Sequence, residues 1–508
     1  MESGGRVWYK INRAKDLDPI PKAHPMNTHC NTAPAQSQAQ ELSLEFEDGL
    51  EFAALGKRQV VARLDGGTIT SDAGGLILRE VDTALRLIDR LSGCFSDKRD
   101  PDLIEHSVRD LLAQRIFGLA LGYEDLNDHD TLRRDPLLAT LAGKLDPSGA
   151  SRSRQRDQGA ALAGKSTLDR LELTKDGKHR YCKIVHDPAK LADLFVELFL
   201  DAYKKPPRAL TLDLDTTDAT LHGQQEGIHF DAYYDSHCYT PLYIFAAGHL
   251  LCARLVTSDL DEAPPALEEL KRIVPLIRRR WPRTRLIVRA DSAFAREDLL
   301  AWCEGEGVDY AIGLAKNSRL EEALAPQMAA ARMLFEQSGQ PSRIFGDFEY
   351  QTRKSWSRAR RVVGKAEHLA GGANPRFVVT SLPTAARRLY EKRYCARGEA
   401  AENRIKEQKL DLFSDRTSCH TLKANQFRLW LSGFAYVLLH GLRRLGLRGT
   451  ELERATCGTI RLKLLKVGAQ VVVSARRVLF RLAGGWPLAG LFARAVKTLR
   501  SARPLLDA

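Results

Sequence analysis

Ala209-Leu210-Thr211-Leu212-Asp213-Leu214-Asp215 places leucine at every second position and two acids on the opposite face. A period of two marks a strand with one face turned to a core. The stretch continues into Thr216-Thr217-Asp218, so an apolar strand carries carboxylates at its own end. Arg285-Leu286-Ile287-Val288-Arg289-Ala290-Asp291 repeats the pattern, again ending in an acid. Between the two, Tyr239 to Leu255 is apolar enough for one or two core strands, and Ala266 to Trp281 reads as a helix stopped by Pro282. Glu297 to Gly307 is expected to be helical and Val308 to Leu314 a further strand. Strands and helices in this order predict an α/β domain around a central sheet.

A third acid stands further on. Glu402 lies in Ala400-Ala401-Glu402-Asn403-Arg404-Ile405-Lys406-Glu407-Gln408-Lys409, a run of strong helix formers. Two helical turns place Glu402 and Lys409 on one face. Tyr394 and Arg397 lie just upstream, suited to a stacking or hydroxyl contact and to a phosphate clamp. Phosphodiester cleavage at neutral pH needs a strong nucleophile and neutralised charge on the leaving oxygen. Two Mg²⁺ ions roughly 3.5–4 Å apart supply both and require hard carboxylate ligands. Asp215, Asp291 and Glu402 are the candidate catalytic and metal-binding residues. Alternatives remain at each position. Asp213 shares a strand face with Asp215, and Asp218 also competes with it. Asp291 suits a plain helix cap, and Glu402 a surface pair with Lys406. Glu407 rivals Glu402.

The chain has 508 residues, 44% of them apolar, enough for a large core and several domains. Its net charge of +13 favours a polyanionic partner. From Gly441 onward, 14 Lys or Arg stand against Glu451, Glu453 and Asp507, which makes the last segment a candidate DNA contact. Nine scattered cysteines without a Cys-x-x-Cys pair support neither a disulfide framework nor a zinc finger, and fit a reducing cytoplasm. The N-terminus lacks a signal-peptide core. The apolar run Leu429 to Leu442 is too short to span a bilayer and reads as a buried helix.

Gly159-Ala160-Ala161-Leu162-Ala163-Gly164-Lys165-Ser166 satisfies the phosphate-binding loop pattern. That loop works only when a buried strand delivers it to a helix N-terminus, and Ser151 to Gln158 is too polar to be one. A basic, flexible segment touching DNA phosphates through Arg152, Arg154, Arg156 and Lys165 is the preferred reading. Trp356 is flanked by Arg353, Lys354, Arg358, Arg360 and Arg361. It suits packing, but with Arg358 it also suits contact with an exposed or flipped base. Near the C-terminus, Ile460 to Leu464 and Val471 to Val473 read as a hairpin around Gly468.

Taken together, these motifs resemble a DDE transposase of a bacterial insertion sequence, from the group marked by a Tyr-Arg-Glu-Lys signature. The chain is most similar to the insertion-sequence thirteen-eighty family. The residues carrying the resemblance are Asp215-Thr216-Thr217-Asp218 with Leu221 to Gly227, Asp291 to Phe294, Tyr394 to Gly398, Glu402 to Glu407 and Asp411 to Ser418. Upstream, Ser71-Asp72-Ala73-Gly74-Gly75 and Gly122 to His129 match as well. The family spaces its Arg and Glu by three residues, whereas Gly398-Glu399-Ala400-Ala401 separates Arg397 from Glu402. The extra residue is assigned to the turn before the helix.

The resemblance implies an RNase H-like catalytic domain with a β-rich insertion, and an organisation that follows the motifs. A disordered leader (1–45), with Met26 as an alternative start, precedes a mainly helical N-terminal DNA-binding domain (46–205). The catalytic core (206–342 and 384–446) is interrupted by the β-rich insertion (343–383) and followed by a basic C-terminal segment (447–508). The resemblance also implies Mg²⁺-dependent cleavage at terminal inverted repeats and strand transfer into target DNA, with two ions for which Mn²⁺ can substitute. A homodimer on double-stranded DNA is expected, in the bacterial cytoplasm at the nucleoid and without a membrane. Tyr394, Arg397, Lys409, Arg404, Trp356 and Arg358 are the expected DNA contacts. A nuclease of the same fold without strand transfer, or an inactive DNA-binding derivative, is the alternative.

Overall fold

The computed structural model describes residues 49–172 and 183–502; the leader read at 1–45 lies outside the described residues. Leu50–Leu55 and Arg58–Ala62 pair as an antiparallel hairpin in a first compact unit that ends at Asp65. Everything from Gly66 onward forms a second unit.

A nine-stranded mixed sheet organises that second unit. Its strands are β1 (Ala209–Thr216), β2 (Leu242–Ala246), β3 (His249–Arg254), β4 (Arg285–Ala290), β5 (Asp309–Leu314), β6 (Ser342–Tyr350), β7 (Arg360–Leu369) and β8 (Arg376–Thr380), with the short Gly372–Ala373 paired to β7. The order across the sheet is β3-β2-β1-β4-β5-β8-β7-β6. β1, β4 and β5 run parallel, and every other neighbouring pair is antiparallel. Parallel neighbours need a covered crossover. The helices Ala263–Arg280 and Glu297–Gly305 provide these, as their positions in the sequence require. The three strands after Ser342 extend the same sheet through the β5–β8 pairing.

Alternation decides the two faces. Leu210, Leu212 and Leu214 of β1 join Leu270, Ile273 and Leu300 in one core. The opposite face carries Asp213 and Asp215. There Tyr243, Phe245 and Leu250 of β2 and β3 pack into a core that includes Phe434 and Leu438 of the long helix Leu422–Leu445. The same core takes Leu111, Leu112 and Ile116 of helix Val108–Leu121 and Ile77 and Val81 of helix Leu76–Leu85. The helices before residue 205 therefore share their hydrophobic core with a helix from the far end of the chain. No helix among the described residues is long and apolar enough to cross a membrane.

Two local expectations are corrected. Cys457–Ile460 and Arg461–Leu465 are helical rather than the first arm of a hairpin. The hairpin lies later, with Ala469–Val473 against Val478–Leu482. The physical reason is visible at Gly74, where a Cβ would come within 1.9 Å of the Leu464 carbonyl oxygen. The Ser71-Asp72-Ala73-Gly74-Gly75 motif seats this helical turn, and Asp72 pairs with Lys466 at 2.6 Å. The basic segment around Arg152 is likewise tied down in part, while Arg154 and Arg156 stay exposed. Arg152 pairs with Glu105 at 3.0 Å, and Lys165 Nζ donates to Asn127 at 3.2 Å. Helix Lys165–Glu172 follows Ala160 to Ala163, which are buried but form no strand, so the phosphate-loop pattern lacks its delivering strand.

Candidate active site

Strand register brings the first two acids together. β1 and β4 run in parallel with Arg289 opposite Asp213. Two residues further along each strand's direction lie Asp215, at the end of β1, and Asp291, just past β4. The two same-face acids of β1 then part company. Asp213 is buried and held by Arg289, whose Nε donates to Oδ1 and whose Nη2 donates to Oδ2 at 3.0 Å. Arg289 also donates through Nη1 to the Arg393 carbonyl, which ties β4 to the segment bearing Tyr394 and Arg397. Asp213 is thereby committed to an internal ion pair, and Asp215 is the carboxylate left facing Arg397. Asp291 accepts from the Ala293 amide at 3.0 Å, so it also caps the turn that follows.

The third acid arrives on a helical segment with unusually wide turns. Leu389–Tyr394, Gly398–Glu402 and Glu407–Asp411 are π-helical, interleaved with ordinary helix. A π turn brings residues five apart onto one face, where an α turn would bring those four apart. Arg397 Nη2 accordingly donates to Glu402 Oε1 at 3.2 Å, and Nη1 donates to Asp215 Oδ1 at 3.2 Å. The extra residue between Arg397 and Glu402 is thus absorbed inside the helix, not in a turn before it. Lys409 reaches the end of the first motif, donating to Asp218 Oδ1 at 2.8 Å and Thr217 Oγ1 at 3.3 Å. Tyr394 lies over Gly313 of β5, where a Cβ would stand 2.5 Å from its hydroxyl and 3.0 Å from the Ser292 amide nitrogen. Only glycine leaves room for the ring there.

Electrostatics reflect the convergence. Burial lifts the Asp215 carboxyl to about 7; Asp291 and Glu402 add to the rise and Arg397 opposes it. Burial works against the charge on Arg397, yet its pKa is raised because Asp215, Tyr394, Asp291 and Glu402 surround it. Glu262, at the start of helix Ala263–Arg280, is also raised, by burial and by Asp291, Asp261 and Asp231, against a hydrogen bond with Thr216. Carboxylates crowded closely enough around Asp215 and Glu262 to raise the pKa of both form a donor set suited to a hard divalent cation. As they stand, no three His, Cys, Asp or Glu side chains among the described residues are gathered closely enough to hold one. The Arg397 guanidinium bridges Asp215 and Glu402 instead.

The remaining candidates lie elsewhere. Glu407 is buried, pairs with Arg443 at 2.8 Å and accepts from the Cys457 amide at 3.1 Å, which removes it as a rival acid. Arg404 turns to Glu407 and away from the acids. Trp356 is only 5% exposed, packing edge-on to Tyr350 and under Arg360, whose Cζ is 5.2 Å from the ring centre. It is a core residue, contrary to a role in stacking on DNA bases. Arg358 pairs with Glu304 at 2.9 Å. Sequence reasoning missed Arg289, Glu262 and Gly313. Only Arg289 left a signal, as a charged residue on the face of a strand otherwise built for burial.

The sequence model described as Transposase DDE domain group 1 matches residues 52–504. The chain belongs to this family of DDE transposases. No curated protein matches the sequence. Among solved structures, the chain is similar to that of a piggyBac transposase synaptic complex with hairpin DNA, at 9% identity and a TM-score of 0.38, covering 86% of this chain and 85% of that one.

Proposed function

We propose that this protein is the cut-and-paste transposase of a bacterial insertion sequence. It cleaves DNA at terminal inverted repeats and joins the freed ends to target DNA. The observation that carries the reading is Arg397 held between Asp215 and Glu402 beside Asp291, which gathers acids from three distant segments at one sheet end. The strand order β3-β2-β1-β4-β5, with acids at the ends of β1 and β4, supports an RNase H-like core. Tyr394, Arg397, Glu402 and Lys409 along one helical segment support the Tyr-Arg-Glu-Lys signature and its insertion-sequence thirteen-eighty relatives.

Asp215, Asp291 and Glu402 are the residues that would hold two Mg²⁺ ions, with Mn²⁺ able to substitute. When bound, such ions activate the attacking oxygen and neutralise charge on the leaving one. The chain's own groups then have distinct tasks. Arg397 must let go of at least one carboxylate, which frees a guanidinium for the DNA phosphate beside the cut. Lys409 holds Thr217 and Asp218, fixing the loop that follows Asp215. Tyr394 closes the floor over Gly313. The helices before residue 205 are assigned to recognition of the repeats, and cleavage of two ends is assigned to a homodimer acting in the cytoplasm at the nucleoid.

The test is to incubate the protein with Mg²⁺, a target plasmid and DNA bearing the inverted repeats that flank its reading frame. Joined products support transposition. Nicking without joining overturns it in favour of a plain nuclease, and absence of cleavage in favour of a DNA-binding derivative.

A further inference from the structure

Far along the sequence from the acids, Ala469–Val473 pairs on one side with Val478–Leu482 and on the other with Ile69–Thr70. The inner face of this three-stranded sheet is seated. Ala469 and Val471 are buried, and Phe480 packs against the helical core. The outer face is bare. Register places Ile69, Gln470 and Arg481 in one row and Val472 with Leu479 in the next. Ile69 is 60% exposed, and Val472 and Leu479 are 41% and 45% exposed. Val473 and Val478 continue beyond the core and are exposed as well, so the hairpin end projects. Its turn is well made: the Ser474 amide donates to the Arg477 carbonyl at 2.8 Å.

A solvent-facing sheet face is normally polar. This one sets the apolar Ile69, Val472 and Leu479 beside Gln470 and Arg481, with Arg476 and Arg477 in the turn at its end. No Asp or Glu occurs between Glu453 and Asp507. Arg476, Arg477 and Arg481 are exposed, and none joins an ion pair among the described residues; Arg481 only donates to Gln470 at 3.4 Å. Unpaired cations around a bare apolar strip disfavour a second copy of the same face, which would bring like charges together. They suit a polyanion with an apolar groove wall. The projecting hairpin is a two-stranded ribbon, an element that the major groove of DNA admits, and apolar side chains beside arginines also contact DNA from the minor groove.

Resting on the transposase reading above, we infer that this outer sheet is a second DNA-binding surface, separate from the acidic site. It takes duplex DNA along Ile69, Val472 and Leu479, while Arg476, Arg477 and Arg481 hold the phosphates. Binding there needs no metal and no cleavage.

The test measures binding of the full chain to a short mixed-sequence duplex by fluorescence anisotropy, without divalent metal and over a range of salt. Arg476→Ala/Arg477→Ala/Arg481→Ala is expected to weaken binding about tenfold or more and to flatten the salt dependence by about two to three phosphate contacts. The lysine versions of the same three restore the salt slope. Val472→Ser/Leu479→Ser weakens binding with the slope unchanged. Melting curves that match wild type exclude a folding defect, because these side chains are exposed. Affinity and slope unaltered in every variant would overturn the inference while leaving the proposed function standing. A dimer lost in Val472→Ser/Leu479→Ser with DNA binding intact would overturn it in favour of a self-association face. A wild-type chain that binds no duplex at all would sink both readings.

Discussion

At the ends of β1 and β4 charge is answered locally: Asp213 by Arg289, Asp215 and Glu402 by Arg397, and Asp218 by Lys409. In the outer sheet of Ile69–Thr70, Ala469–Val473 and Val478–Leu482, Arg476 and Arg477 have no such answer among the described residues. Both regions are made of strands and both carry charge at strand ends, so the contrast lies in solvation. Acids taken out of water must be balanced or they resist ionising, and Arg289 and Arg397 supply that balance to Asp213 and Asp215. Exposed arginines cost little to leave unpaired in water, and they remain free to meet phosphate. On the proposed function, the first region pre-positions the chemistry and the second attaches to DNA.

The strongest way to break this contrast is to remove an acid. Asp215→Asn, Asp291→Asn or Glu402→Gln should each lower DNA cleavage by at least about 10³-fold, the scale seen when one member of a cooperating set is lost, while metal-free duplex binding stays at the wild-type level. A gel assay beside anisotropy reads both. Next in size is Trp356→Ala, which should cost about 3–5 kcal/mol of stability by emptying a buried site and leave the salt slope of DNA binding untouched. A reduced slope would return Trp356 to the DNA surface.

Titration sharpens the same comparison. The Asp215 carboxyl is raised from 3.8 to about 7 in the fold, so the folded chain holds this proton more tightly than the unfolded chain does. Its contribution to stability is complete below about pH 4 and is lost as pH climbs through about 7. Metal-free Asp215→Asn, which has no proton to lose, should therefore melt higher than wild type above pH 7, by an amount on the order of 2–4 kcal/mol. That advantage should vanish near pH 4. Curves that stay parallel across the range would show that Asp215 carries no such burden. The smallest effect is expected at Gly313→Ala, whose Cβ must displace Tyr394. A cost of about 1–3 kcal/mol should come with slower cleavage, and a chain that cleaves at the wild-type rate would remove Tyr394 from the site.

Much of the fold was legible because its signals are local. Leucine at every second position announced β1, and Pro282 stopped the helix before β4. The long apolar run within Leu422–Leu445 was read as a buried helix, as it is in the fold. Errors arose where long-range contact outweighed local pattern. Ile460 to Leu464 alternates like a strand, yet helical packing against Gly74 took it. The cations around Trp356 suggested an exposed aromatic, but Arg360 is spent on Glu297 and Glu304, and the ring beneath it is buried.

By itself, the sequence determined that carboxylates would stand at the ends of two strands and on one later helical segment, since strand and helix periods are properties of neighbouring residues. Only the tertiary structure decided which acids face one another. Asp213 and Asp215 are equivalent to a pattern of period two, and the parallel register with β4 separates them by placing Arg289 against the first. Arg397 and Glu402 are out of step in an α-helix, and a π turn brings them into step. Both outcomes depend on what lies across the gap from a side chain, and that is fixed only when distant segments pack.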